Sequence, residues 1–138
     1  MVADMRRGFR TATPFLIVKD CAGAVQFYKM AFGAMELMRM TDHGGRVRHA
    51  DIMIGTSPVM IDEHANVSAL GPDELPPVSI YLYVDNVDAL LDQAVAAGAK
   101  VLNPVTDQSY GDRECGVIDP FGVVWWIATR KGITPGQM

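Results

Sequence analysis

Hydrophobic and polar positions follow the same order twice along this chain. In the first half, a short apolar run at 15–18 precedes apolar residues at helical spacing. Asp20 is the predicted N-cap of that helix, and Gly33 stands where a helix commonly stops. Three strands are then expected, separated by glycine-containing turns, at about 34–41, 46–54 and 58–63. The pattern predicts a βαβββ module.

The second half repeats this order about 65 residues later, with Leu82 at the place of Leu16 and Gly98 at the place of Gly33. A helix is predicted from Asp88 to Ala97, capped by Asn86 or Asp85. The strands of this half are predicted at 79–84 and near 100–103, 113–118 and 123–128.

A proline- and glycine-containing stretch at 66–77 is typical of a linker between the two halves. We therefore expect one α+β domain over 1–138, made of modules at about 11–65 and 78–130.

Alternation along the first strand of each half divides its side chains between two faces. Leu16 and Val18 belong to an aliphatic set that is expected to pack under the helix. Phe15 lies on the opposite face, and the repeat places Tyr81 and Tyr83 with it. Such an aromatic face is a candidate wall of a ligand-binding cleft.

Two adjacent tryptophans lie on the last predicted strand, so they point to opposite faces. We expect Trp125 to pack under the helix and Trp126 to form the floor of the cleft, where it would contribute to ligand binding. The alternative is that Trp126 is an ordinary core residue.

Composition narrows the functional classes. The chain has 49% hydrophobic and 20% charged residues, which excludes wholesale disorder. Its net charge of −4 excludes a basic nucleic-acid footprint. No apolar run approaches the roughly 18 residues of a membrane span. The two cysteines, Cys21 and Cys115, offer no disulfide framework, which fits a cytoplasmic location. Neither has a histidine beside it in sequence, so neither is a convincing nucleophile.

His49 and Asp51 stand two residues apart on a predicted strand and therefore share a face. With Glu63 on the neighbouring strand they are candidates for a catalytic cluster, acting as a general base or a metal site. The alternative is an exposed edge or a dimer contact.

The segment around Tyr110, Asp112 and Arg113 combines an aromatic ring, a carboxylate and a guanidinium just before a strand. Arginine binds carboxylates and phosphates through two parallel hydrogen bonds, so these residues are candidate ligand contacts. The alternative is a surface charge patch beside a glycine turn.

Four segments, taken in this order and spacing, resemble the vicinal-oxygen-chelate superfamily of glyoxalase I, extradiol dioxygenases, and fosfomycin- and bleomycin-resistance proteins. They are Thr13–Asp20, Phe27–Ala34, His49–Gly55 and Tyr110–Thr129. The likeness covers about Thr11 to Thr129 and looks nearest to the glyoxalase-like, demethylubiquinone-methyltransferase-like branch. It implies a curved, incomplete-barrel mixed sheet and a homodimer.

The resemblance also implies where a metal would be held, because the family's metal enzymes use one position on the first and last strand of each module. Those positions fall here on Thr13, Ser79, about Ile61 and Trp126. None is a histidine or a carboxylate, and a shift of two residues would bring in only Glu63. We therefore expect no divalent metal and no other cofactor.

These observations predict a protein that binds a small molecule in an aromatic-lined cleft without the family's usual metal. The alternative is a glyoxalase-like lyase or isomerase, or a dioxygenase-type enzyme, using a non-standard metal or a general base from His49, Asp51 and Glu63. A purely structural dimeric module is a third possibility.

Overall fold

The computed structural model describes residues 9, 13–65, 76 and 78–132, and the chain divides into two compact units, Met1–Ser68 and Ala69–Met138. The elements of the first unit are β1 (Phe15–Val18), α1 (Cys21–Phe32), β2 (Met35–Thr41), β3 (Val47–Ile54) and β4 (Ser57–Glu63). Those of the second unit are β5 (Ile80–Tyr83), α2 (Val87–Ala97), β6 (Lys100–Asp107), β7 (Asp112–Ile118) and β8 (Val124–Arg130). This order confirms the α+β class and the tandem βαβββ pattern. The expected linker lies almost wholly outside the described residues.

Each unit carries one four-stranded sheet, in the order β1-β4-β3-β2 in the first and β5-β8-β7-β6 in the second. The first strand of each module pairs in parallel with the last, and the remaining pairs are antiparallel. Leu16 pairs with Ile61 in the first sheet, and its equivalent Leu82 pairs with Ile127 in the second. The parallel strand pair therefore has the same register in each sheet.

Helix α1 begins directly after its predicted cap and ends directly before Gly33. Helix α2 begins at Val87, one residue before the predicted start, and ends at the predicted Ala97. The Asp20 side chain accepts a hydrogen bond from the Gly23 backbone N–H at 3.0 Å, and Asn86 caps α2 through the Ala89 N–H at 3.1 Å. Gly33 ends α1 with φ of 69°, in the left-handed region that favours glycine. Helix α1 contacts β2, β3 and β4, and α2 contacts β6, β7 and β8.

Asp119 organises the turn before β8. Its carboxylate accepts hydrogen bonds from the backbone N–H groups of Phe121 and Val123 and from the indole N–H of Trp125, at 2.8, 3.0 and 2.8 Å. Asp119 and Trp125 are both buried. The turn predicted from the sequence therefore also satisfies the polar end of the largest core side chain.

Strand β6 is longer than predicted, since it continues to Asp107 instead of ending near residue 103. Pro104 falls at an irregularity in the β6–β7 register, between Asn103 and Thr106. β6 is an edge strand, where a proline and a bulge are tolerated because fewer ladder hydrogen bonds are required.

Neither described helix is long and apolar enough to cross a membrane.

Replacing Asp119 by alanine would leave three donors without this acceptor, two half-buried backbone N–H groups of the turn and the buried indole N–H of Trp125. We expect the free energy of unfolding to fall by about 3 kcal/mol. Urea denaturation would measure the change. The exposed Asp85→Ala serves as the control and should change stability by less than about 0.5 kcal/mol. Equal stability of the two variants would contradict this account of the turn.

Candidate functional site

The β7–β8 register separates the second sheet into a face covered by α2 and an open face. Arg113 and Thr129 are register partners, and both contact the start of α2. Trp125 lies on this covered side, four residues before Thr129, and is fully buried. The opposite face is termed the open face here. Its central residues are Tyr81, Tyr83, Asp112, Glu114, Gly116 and Trp126.

Trp126 packs its indole against Gly116, its register partner on β7. A Cβ atom placed on Gly116 would stand 2.7 Å from Cε3 of the indole and closer still to Cζ3. The indole N–H donates to the Ser79 hydroxyl at 3.0 Å. The ring therefore occupies the open face beside Tyr81, which is paired with Trp126 across β5 and β8. This agrees with the predicted orientation of Trp126.

Two tyrosines converge on one buried carboxylate. The hydroxyls of Tyr81 and Tyr83 donate to Oδ2 of Asp112 at 2.7 and 3.0 Å, and their ring centroids are 5.3 Å apart. Nη1 of Arg130 donates to Oδ1 of Asp112 at 3.0 Å and to the carbonyl oxygen of Tyr110 at 2.6 Å. The hydroxyl groups are held by Asp112, while the Tyr81 and Tyr83 residues as a whole remain 40% and 63% exposed.

These contacts shift the pKa values of the carboxylate and of the two tyrosine hydroxyls. The Tyr81 hydroxyl lowers the pKa of Asp112 below its ordinary 3.8, and the bonds from Arg130 and Tyr83 add to this effect against the opposing influence of burial. Burial, followed by the bond to Asp112, raises the pKa of Tyr81. The bond to Asp112 is also the main cause of the raised pKa of Tyr83.

Glu114 is the open-face residue that sequence reasoning missed. It lies between Asp112 and Gly116 on β7, is only 7% exposed, and its Oε1 atom has no hydrogen-bond partner within the described part of the chain. Alternation along 112–118 was the signal that could have found it, because this carboxylate shares a face with the predicted residue Asp112.

Arg113 does not join this group, so its expected placement as a cleft contact is wrong. Its guanidinium faces α2, where it donates to both carboxylate oxygens of Asp88 at 2.9 and 3.0 Å and to Asp107 at 3.1 Å. Since neighbouring strand residues face opposite ways, Asp112 on the open face fixes Arg113 on the other. Tyr110 lies in the turn before β7, and its contact with the cluster is made by its backbone oxygen.

In the first unit, His49 is held between two carboxylates. Its Nε2 lies 2.8 Å from Oδ1 of Asp51, and its Nδ1 lies 2.8 Å from Oδ1 of Asp62. Oδ2 of Asp62 contacts Nε2 of His64 at 3.0 Å. Bonding to His49 is the main cause of the lowered pKa of Asp62. Phe15 lies nearby, with its ring 6.3 Å from that of His49.

Glu63 is not part of this cluster, and the grouping predicted from the sequence is corrected here. One carboxylate oxygen accepts from the Cys21 N–H at 3.0 Å at the start of α1, and the other pairs with Arg46 and Arg48. Burial acts to raise the pKa of Glu63, but these donors outweigh it and the pKa is lowered. Asp62, one residue earlier, takes the place expected for Glu63 because it is the register partner of His49.

The position assigned to Ile61 is also wrong. Ile61 is fully buried and pairs with Leu16 on the helix side. The counterpart of Trp126 is Met60, because Met60 pairs with Phe15 as Trp126 pairs with Tyr81.

In the second unit, the two positions that the resemblance marks for metal ligands present an indole and a hydroxyl that already accepts the indole N–H. In the first unit, the corresponding position on β4 presents the thioether of Met60. Neither an indole nor a thioether is a usual ligand of a divalent metal, and no three histidine, cysteine or acidic side chains in the described ranges are arranged to hold one.

Both cysteines are buried and free. Burial is the main cause that raises the pKa of the Cys21 thiol to about 11, and the same holds for Cys115. Neither thiol is suited to act as a nucleophile at neutral pH.

Comparison with known proteins places this geometry in a family. The family model described as Glyoxalase/Bleomycin resistance protein/Dioxygenase superfamily matches residues 10–127. The chain belongs to this superfamily.

Among individual proteins, the chain is 39% identical over 119 residues to Mb0911c of Mycobacterium bovis, covering 82% of this chain and 78% of that protein. It is similar in structure to TioX from Micromonospora sp. ML1, with a TM-score of 0.68, 26% identity and coverage of 91% and 99%. The fosfomycin resistance protein FosX of Listeria monocytogenes shares the fold, with a TM-score of 0.71, 18% identity and full coverage of both chains.

Gly116→Ala should displace the Trp126 indole, because the added methyl group overlaps the ring. We expect a loss of about 1–3 kcal/mol of stability and a change in tryptophan fluorescence. Gly44→Ala in the exposed β2–β3 turn is the matched control, since its Cβ would meet only Asp42 at 3.4 Å. Wild-type fluorescence and stability in Gly116→Ala would contradict the observed packing.

The lowered pKa of Asp112 predicts a pH-dependent contribution to stability. Because the folded-state pKa lies below the unfolded one, this contribution is present above the ordinary pKa and is lost as the pH falls through the folded value. Asp112→Asn should lower the Tm at neutral pH, and the difference from wild type should narrow below about pH 4. A constant difference across thermal unfolding scans from neutral to acidic pH would contradict this.

Proposed function

We propose that this protein binds a small molecule with a flat apolar or aromatic part on the open face of its second sheet, without a divalent metal. The observation that carries the proposal is the Trp126 indole, lying over Gly116 at the position where the family's metal enzymes place a ligand. Indole carries no lone pair suited to a metal, whereas its ring face offers a broad stacking surface.

The neighbouring rings support the same function. Tyr81 and Tyr83 turn their hydroxyls to Asp112, so their apolar ring surfaces are what the open face presents. Exposed aromatic surface is costly in water, and covering it with a ligand is favourable. Fixing the hydroxyls in advance also reduces the entropy lost when a ligand binds.

Thermal unfolding in the presence of a panel of small aromatic compounds tests this proposal. A compound at 100 times its Kd should stabilise the protein by about 2.7 kcal/mol. The stabilisation should be lost in Trp126→Ala and retained in Val95→Ala, a matched truncation of an exposed apolar residue on α2.

A chelator arm separates metal-free binding from metal-dependent binding. Treatment with EDTA should leave the ligand-induced shift unchanged. Loss of the shift after EDTA, with recovery on adding back a divalent metal, would overturn the metal-free proposal. So would a shift that Trp126→Ala leaves intact.

One observation favours a second function, general-base catalysis in the first unit. Asp51 and Asp62 hold both ring nitrogens of His49, and the open depression beside them has a volume of about 520 Å³. For His49 to act as a base, one of these two contacts must open to substrate, while the carboxylate on the other ring nitrogen orients the imidazole. The predicted lyase or isomerase activity would rest on this cluster.

Exchange of carbon-bound hydrogen for deuterium in dihydroxyacetone, followed by NMR in D₂O, tests the second function. Exchange above the uncatalysed rate should fall by about 100-fold or more in His49→Gln. His43→Gln, in the exposed β2–β3 turn, should leave the rate unchanged. Equal rates for wild type and His49→Gln would exclude His49 as the base.

A homodimer, which the family resemblance implies, and a cytoplasmic location complete the proposal. Two free, buried cysteines fit a reducing compartment. Sedimentation of the purified chain tests the dimer directly.

A further inference from the structure

We infer that Glu114 selects ligands that carry a positively charged N–H donor next to their aromatic part. This inference rests on the proposed function of the open face and names the class of ligand bound there: an aromatic or apolar amine in its protonated form.

The carboxylate of Glu114 needs a hydrogen-bond donor that the described residues do not supply to its Oε1. It is more than nine-tenths buried, and its Oε1 finds no donor among the residues that the structure describes. A buried carboxylate oxygen without a hydrogen bond is costly, so such groups in folded proteins are normally paired. In a binding protein, a ligand can supply the missing donor.

The donors around Glu114 are committed to other acceptors. The hydroxyls of Tyr81 and Tyr83 and Nη1 of Arg130 donate to Asp112. Thr106, the register partner of Glu114 on β6, donates its hydroxyl to the carbonyl oxygen of Pro104 at 3.1 Å. These neighbours leave Oε1 of Glu114 for an external donor.

The charge balance favours a cationic donor over a neutral one. Asp112 and Glu114 carry two carboxylates on this face, and Arg130 supplies one positive charge to Asp112. Arg113, the next residue on β7, is turned to the helix side and is held by Asp88 and Asp107. A ligand cation would neutralise Glu114, and its charge would also be attracted to the faces of Trp126 and Tyr81.

Three soluble probes that share a phenyl ring test the inference: 2-phenylethylamine, 2-phenylethanol and 3-phenylpropionate. At pH 7 they carry a positive, zero and negative charge. Each is titrated into the full chain, and binding is followed through the indole N–H resonance of Trp126 by NMR. A hydrogen bond to a charged group is worth about 1.5–3 kcal/mol, so the amine should bind about tenfold or more tightly than the alcohol.

Variants assign that preference to Glu114. Glu114→Gln should reduce the preference for the amine to about twofold or less while leaving the affinity for 2-phenylethanol unchanged. Asp92→Asn removes the same charge from an exposed site on α2 and should preserve the preference. Glu114→Asp keeps the charge and should retain part of it, which serves as the second variant if Glu114→Gln does not fold.

The outcomes separate this inference from the proposed function. If all three probes shift the Trp126 resonance with equal affinity, or if Glu114→Gln keeps the full preference, the inference is overturned and the open face remains a binding site. If no probe shifts the resonance up to about 10 mM, a range that covers the weak affinities of fragments this small, both are overturned.

Discussion

The packing of the Trp126 indole on Gly116 is the constraint on which the open face depends. A side chain on residue 116 would collide with the ring, so the indole can occupy this place only because residue 116 is a glycine. The hydrogen bond to Ser79 fixes the other end of the indole. As a result, a position at which the family resemblance leads us to expect a metal ligand presents an aromatic surface here, and the neighbouring tyrosines extend it.

The two units use one backbone plan for different chemistry. Glu114 occupies the place on β7 that His49 occupies on β3, because each is paired with the corresponding residue of the last strand. His49 lies between two carboxylates, whereas Glu114 is buried and its Oε1 has no donor among the described residues. The first unit therefore offers a polar hydrogen-bonded cluster, and the second offers an aromatic face with one carboxylate oxygen that lacks a donor within the described part of the chain.

Most of the fold and part of the candidate site could be predicted from the sequence, because the repeat and the helix caps can be seen in the order of the residues alone. Asp20 caps α1 and Gly33 ends it. The alternation of Trp125 with Trp126 assigns each ring to one face of its strand. The choice between Asp62 and Glu63 as the partner of His49 could not be predicted in the same way. It depends on the register between β3 and β4, where a slip of one residue moves every side chain to the opposite face.

The most direct test of the central claim is to titrate Mn²⁺, a paramagnetic divalent cation, into the protein while following the indole N–H resonances of Trp125 and Trp126 by NMR. The account predicts no selective broadening of the Trp126 resonance at equimolar Mn²⁺, because the two positions of the second unit that the resemblance marks for metal ligands hold an indole and a hydroxyl bonded to that indole. Selective broadening of Trp126 that saturates at one Mn²⁺ per chain would show that a metal is held beside it and would contradict the account.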